Sequence, residues 1–250
     1  MNQAKILEAI NINKNFGGVQ AVKNISFEVN KGELLGVIGP NGSGKTTLVN
    51  LITQFVRLSS GSIKFKGKKI DHLPPHKIIG LGISRTFQMV RPFYKLPAYK
   101  NMIIPLYSPR AKSLLGGKYG DRDAMALDLL EEVGFERDSF VAYKPAGVLP
   151  QGYLKRLELA KAMSLQPDLM ILDELFSGLS LAEVASILPI VEKLLQKGIS
   201  IIMIEHRLKE LFKIADRVIV LNYGEKIADG YAQEVMESEA VKNAYLGTEA

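Results

Sequence analysis

Three short apolar runs, Leu34–Ile38, residues 169–172 and residues 199–204, punctuate a chain that otherwise mixes polar and apolar positions. None of them alternates, and each is flanked by turn or helix signals, which is the pattern of strands buried on both faces of a parallel sheet. Residues 217–221 read as a fourth strand of the same kind. Helical patterning fills residues 45–55, 154–163, Leu181–Gln196 and 207–215 between them. Strands alternating with helices predict an α/β core built on a mainly parallel sheet.

Two regions depart from that rhythm. Residues 6–12 and 25–29 predict strands joined by the turn Asn15-Phe16-Gly17-Gly18, and with residues 62–65 they suggest a small antiparallel sheet at one edge. From about Met89 to Met163 the chain is rich in Pro, Gly and Tyr, carries no buried-strand signal, and turns helical over residues 122–133. The expected organisation is one domain in which residues 1–88 and 164–250 form the α/β core with its antiparallel β edge. Residues 89–163 are then an inserted helical subdomain. No internal repeat or low-complexity tract interrupts it.

Composition narrows the options. At 47% apolar and 23% charged residues, a 250-residue chain can bury a sizeable core. The absence of cysteine excludes disulfides and thiolate metal sites. No apolar run approaches the roughly 20 residues needed to cross a bilayer, and Met1-Asn2-Gln3-Ala4-Lys5 opens no apolar signal core. The chain is therefore expected to be soluble by itself, with any membrane link made through a partner. A net charge of +6 admits nucleic acid, an anionic membrane or an anionic small ligand. The one local basic cluster is Lys64, Lys66, Lys68 and Lys69, where Lys64-Phe65-Lys66 alternates like the wet face of a strand. Charge alone decides nothing.

The chemistry begins at Gly39-Pro40-Asn41-Gly42-Ser43-Gly44-Lys45-Thr46, which fits the phosphate-binding pattern G-x-x-x-x-G-K-[ST] without a mismatch. A buried strand precedes it and a helix follows, so backbone N–H groups and a helix N-terminus should converge on phosphate oxygens. Lys45 should reach the β- and γ-phosphates of ATP, the Thr46 hydroxyl should ligate Mg²⁺, and Thr47 closes the motif. Asp173 and Glu174 end the apolar strand at residues 169–172. Asp173 would hold Mg²⁺, and Glu174 would accept a proton from the attacking water.

With these elements in register, the sequence resembles the ATP-binding subunits of ABC transporters along essentially its whole length, most of all those of branched-chain amino acid uptake. The resemblance is carried by Ile83-Ser84-Arg85-Thr86-Phe87-Gln88, by Ile204-Glu205-His206 after the last core strand, and by the ending Ala244-Tyr245-Leu246-Gly247. It implies a P-loop NTPase core of the RecA type. Gln88 would contact Mg²⁺ and water, His206 would contact the γ-phosphate, and Phe16 would stack on adenine, with a core residue of the N-terminal sheet as the alternative for Phe16. It also implies a second ATPase subunit, transmembrane permease subunits, an indirect link to a substrate-binding protein, no nucleic acid, and a place on the cytoplasmic face of the membrane. Residues 92–106 are expected to line the groove that receives the permease.

The partner-facing elements depart from the family pattern. The signature, usually Leu-Ser-Gly-Gly-Gln, falls on Leu149-Pro150-Gln151-Gly152-Tyr153. Leu175 replaces a usual proline, and the loop Ser177-Gly178-Leu179-Ser180 ends in Ser rather than Asp. The residues serving this chain's own ATP are intact, while those offered to a partner's ATP are altered. That contrast leads to the expectation of a non-identical partner subunit; tolerance of such variation within the family is the alternative. A soluble ABC ATPase and a regulatory nucleotide-binding subunit with weak hydrolysis are the rival readings.

Overall fold

The computed structural model describes residues 4–114 and 121–246. Gly247 and Met1–Gln3 of the sequence reading lie outside them. The chain opens with a long hairpin, β1 (Lys5–Phe16) and β2 (Val19–Asn30), then β3 (Leu34–Ile38), α1 (Lys45–Ile52), β4 (Ser60–Phe65), β5 (Lys68–Lys69), α2 (Pro75–Leu81) and β6 (Ile83–Arg85). Next come α3 (Ile103–Leu106), α4 (Pro109–Leu114), α5 (Arg122–Glu132) and α6 (Gln151–Met163), with short 3₁₀ turns among them. The chain closes with β7 (Leu169–Asp173), α7 (Leu181–Gln196), β8 (Ser200–Ile204), α8 (Leu208–Leu211), β9 (Arg217–Asn222), β10 (Glu225–Gly230), α9 (Ala232–Glu237) and α10 (Glu239–Leu246).

The strands form two sheets. One is antiparallel in the order β2-β1-β4-β5, and the other runs β10-β9-β3-β8-β7-β6, parallel except for β10. The period of two hidden in the apolar runs becomes visible here. Leu35, Val37, Ile171, Ile202, Ile204 and Ile219 face one core together with α1 and the antiparallel sheet. Leu34, Met170, Leu172, Ile201, Met203 and Val218 face a second core with α6 and α7. Because both faces are covered, both sets of alternate positions are apolar, and the sequence shows a run instead of an alternation.

Several boundaries move. The helix predicted over residues 45–55 stops at Ile52. The helix predicted over 207–215 shrinks to Leu208–Leu211, and hydrogen-bonded turns carry the chain on to Ala215. β1 runs on to Phe16, so Gly17 and Gly18 alone make the turn, with Gly17 at φ +54. The antiparallel strands are a separate sheet rather than the edge of the parallel one; its antiparallel edge is β10. The strand β6 was unrecognised because three residues carry too little periodicity to register. Between β6 and β7 the described residues add no strand to either sheet.

α7 matches its predicted bounds because both ends are signalled. Ser180 and Glu183 exchange hydrogen bonds at its start, and Gly198 at φ +82 follows its end. No helix among the described residues is long and apolar enough to cross a membrane.

Candidate active site

β3 delivers the chain into a loop whose shape depends on missing side chains. At Gly39 (φ +149) a Cβ would collide with the backbone carbonyl of Leu221 on β9. At Gly44 (φ +104) it would lie 2.6 Å from the carbonyl of Ala21 on β2. Gly42 (φ +79) has open space instead. The loop is thereby wedged between β2 and β9 and remains open at its tip. The Tyr245 hydroxyl on α10 lies close to the Gly39 backbone.

Inside the loop, Lys45 is only 6% exposed. Its ammonium donates to the carbonyls of Gly39 at 2.7 Å and Pro40 at 2.9 Å. Burial pushes its pKa down, and the carboxylates of Glu174 and Asp173 offset part of that. The Ser43 hydroxyl is buried and has no hydrogen-bond partner among the described residues. Thr46 is exposed in the first turn of α1, and Thr47 is half-buried behind it. A lysine folded onto its own loop, an unpaired hydroxyl and a tip with no Cβ fit the oxygens of a bound polyphosphate.

Across the sheet, β7 places two carboxylates in different settings. Asp173 is buried and paired with Arg85 of β6, with Nη2 to Oδ2 at 2.6 Å. Arg85 also donates to Asn50 of α1 at 2.6 Å, tying the helix behind the phosphate loop to Asp173. Glu174 leaves the strand at φ +50, its N–H held by the Ile204 carbonyl at 2.9 Å. Gln88 Nε2 donates to its Oε2 at 2.7 Å, and His206 Nε2 lies 3.2 Å from its Oε1. Gln88, Glu174 and His206, far apart in sequence, therefore meet at one carboxylate. Thr46, Gln88 and Asp173 each carry an oxygen of the kind a hard cation takes, and one Asp173 oxygen, Oδ2, is already bonded to Arg85.

Phe16 closes the hairpin at 48% exposure beneath the Lys14 ammonium, 4.8 Å from its ring centre. The alternative of a core residue is thereby overturned: a ring at the hairpin's turn projects past the sheet it would have to pack into. The signature and crossing loops adjoin each other. Pro150 caps α6 without a side-chain hydrogen bond, Gln151 is exposed beside Gly178, and Tyr153 packs edge-on against Phe135. Glu183 accepts from the Ser180 N–H and hydroxyl at the start of α7, bonds that hold it below its ordinary pKa, and its carboxylate lies against Gly152. Leu149 and Leu179 are buried, and Ser177 is exposed. No hydrogen bond joins either loop to the phosphate loop of the same chain among the described residues.

Sequence reasoning missed two charged residues. Arg85 was read only as part of a motif. Lys155 is buried in α6, and its ammonium donates to the carbonyls of Gln88 at 3.0 Å and Glu174 at 2.8 Å. Its spacing from Gly152, Leu159 and Ala162 places it on the buried stripe of α6, a signal that a charged residue type conceals.

A parallel sheet with a glycine-built phosphate loop at the end of one strand and paired carboxylates at the end of another defines a P-loop nucleoside triphosphatase. The family model described as "ABC transporter" matches residues 22–177. The chain is 34% identical over 252 residues to the high-affinity branched-chain amino acid transport ATP-binding protein BraF of Pseudomonas aeruginosa, covering 97% of this chain and 98% of that one. It is 32% identical over 242 residues to the corresponding protein LivG of Escherichia coli, covering 93% and 94%. Among solved structures, a nucleotide-free ATP-binding cassette from an ABC transporter is 31% identical with a TM-score of 0.87, covering 97% and 99%. The ADP conformation of such a cassette is 32% identical with a TM-score of 0.86, covering 98% and 100%. The chain belongs to the ABC transporter family as one of its ATP-binding, ATP-hydrolysing cassettes.

Proposed function

We propose that this cassette energises the import of branched-chain amino acids or similar small solutes, working beneath transmembrane permease subunits on the cytoplasmic face of the membrane. The observation that carries the hydrolytic half is the Gln88–Glu174–His206 cluster, whose carboxylate is paired with neither Lys45 nor Arg85 and so remains available to water. The substrate class rests on the names of relatives that match nearly end to end.

In this reading Phe16 stacks on adenine while the loop from Gly39 to Thr47 receives the phosphates. Lys45 exchanges its loop carbonyls for the β- and γ-phosphate oxygens. Thr46, Gln88 and Asp173 would hold Mg²⁺, which neutralises phosphate charge when bound. Glu174 takes a proton from water as the water oxygen bonds to the γ-phosphorus and the bond to the bridging oxygen breaks, leaving ADP and phosphate. His206 steadies the γ-phosphate and keeps Glu174 oriented. Residues 89–163 act as the helical subdomain, and residues 92–106 line the groove for the permease.

The altered signature supports a non-identical ATPase partner. Pro150 offers neither hydroxyl nor N–H, and the carboxylate of Glu183 of the same chain lies against Gly152. The site using this chain's phosphate loop then keeps full competence, and the reciprocal site is weak.

Steady-state ATP hydrolysis by the purified chain, beside Lys45→Ala and Glu174→Gln, tests the proposal. Loss of the purified chain's low residual turnover in both variants, with ATP still retained by Glu174→Gln, is the expected result. Undiminished turnover in Glu174→Gln would refute the assignment of the base. Full turnover by an ATP-dependent homodimer would refute the requirement for a different partner.

A further inference from the structure

Lys155 is a cation 2% exposed on a helix that contributes none of the residues assigned to this chain's own ATP. A buried ammonium loses its hydration and persists only where acceptors replace the water. Burial indeed pushes its pKa down, against the raising influence of Glu205, Glu174, Asp173 and Glu158. The two acceptors it finds are the carbonyls of Gln88 and Glu174, at 3.0 and 2.8 Å. These belong to the two residues whose side chains bond each other at 2.7 Å. The four groups close a ring: ammonium, Gln88 backbone, Gln88 amide to Glu174 carboxylate, and Glu174 backbone to ammonium.

The ring also explains how Glu174 is kept in its left-handed conformation, φ +50, which is uncommon for a residue with a side chain. Its N–H is fixed by Ile204 and its carbonyl by Lys155, so the backbone is anchored on both sides and the carboxylate is aimed. Lys155 stands one helical turn beyond Gly152, at the start of the helix that opens with the signature loop. We infer that Lys155 is a positioning residue that locks the backbones of Gln88 and Glu174 together, and that through it the signature helix sets the aim of the water-activating carboxylate in its own chain. A displacement of α6 would then be felt directly at Glu174.

This inference rests on Glu174 being the base, so the test includes Glu174→Gln. The residual ATP hydrolysis of the purified chain is measured with Lys155→Met, Lys155→Arg or Lys155→Gln in place, beside the parent, with kcat and KM separated. Nucleotide affinity is read with a fluorescent non-hydrolysable ATP analogue, and folding by thermal melting. Lys155→Met is expected to lower kcat about ten- to a hundredfold, the value of a lost charge-assisted hydrogen bond, with KM and analogue affinity changed by less than about twofold. Lys155→Arg, whose guanidinium can donate to both carbonyls, should recover most of kcat. If Lys155→Met does not fold, Lys155→Gln, which keeps amide N–H donors without the charge, takes its place with the same criteria.

A kcat within about twofold of the parent, a loss shared equally by kcat and analogue affinity, or an arginine variant no better than methionine would each overturn the inference. If Glu174→Gln is inactive while Lys155→Met is fully active, the positioning role alone falls. If Glu174→Gln stays active, the assignment of the base falls with it.

Discussion

Replacing Glu205 by glutamine removes one titrating group from the interior while keeping a carbonyl oxygen in its place. Glu205 is 2% exposed, accepts the Phe176 N–H at 2.9 Å, and feels Lys155 nearby. Burial outweighs these attractions and raises its pKa from 4.5 to about 7. The folded protein therefore holds this proton more tightly than the unfolded chain. Its contribution to stability is fully present below about pH 4.5 and is lost as pH rises through about 7. The distance from 4.5 to about 7, at about 1.4 kcal/mol for each pH step, comes to about 3 kcal/mol. Urea denaturation of the parent and Glu205→Gln at intervals between pH 5 and pH 8 measures it. Other titrating groups are common to both proteins, so the informative quantity is the difference between the two curves. The parent should lose up to about 3 kcal/mol relative to the variant across that range. Parallel curves would refute the reasoning and mean that the carboxylate is satisfied as well in the folded protein as in water.

Three other substitutions probe the scaffold. Gly39→Ala places a methyl against the Leu221 carbonyl at a φ of +149; a loss of about 2 kcal/mol or more in a thermal melt, with weaker ATP-analogue binding, is expected, and an unchanged melt would contradict the close approach. Arg85→Ala leaves Asp173 buried without its partner and Asn50 without its donor. Chemical denaturation should show about 3–5 kcal/mol lost, and a loss under about 1 kcal/mol would show that water replaces the guanidinium. Ser180→Ala removes the hydroxyl that accepts the Glu183 N–H; about 1 kcal/mol is expected from urea midpoints, and no change would mean that the cap contributes nothing to α7.

What the sequence determined by itself is the set of parts whose causes are local. The phosphate loop is legible because its glycines, lysine and threonine must stand at fixed spacing between a strand and a helix. The bounds of α7 are legible because Ser180, Glu183 and Gly198 are adjacent in sequence to the ends they cap. The runs of β3, β7 and β8 were recognisable as doubly covered strands, since only burial on both faces tolerates so little polarity. Gln88, His206 and Phe16 were named from the family resemblance rather than from their surroundings.

Tertiary structure alone decided which distant groups share a volume. Three residues of β6 carry no usable period, yet pairing with β7 makes them a strand and sets Arg85 against Asp173. Glu174, Gln88 and His206 converge because β6, β7 and β8 lie side by side in the sheet, although long stretches of chain separate them. Lys155 and Glu205 look like surface residues by type. They are interior because α6 is laid across the ends of β6 and β7, where backbone carbonyls and N–H groups take over the role of water. A buried charge is stabilised by partners far away in sequence, and only the folded chain specifies them.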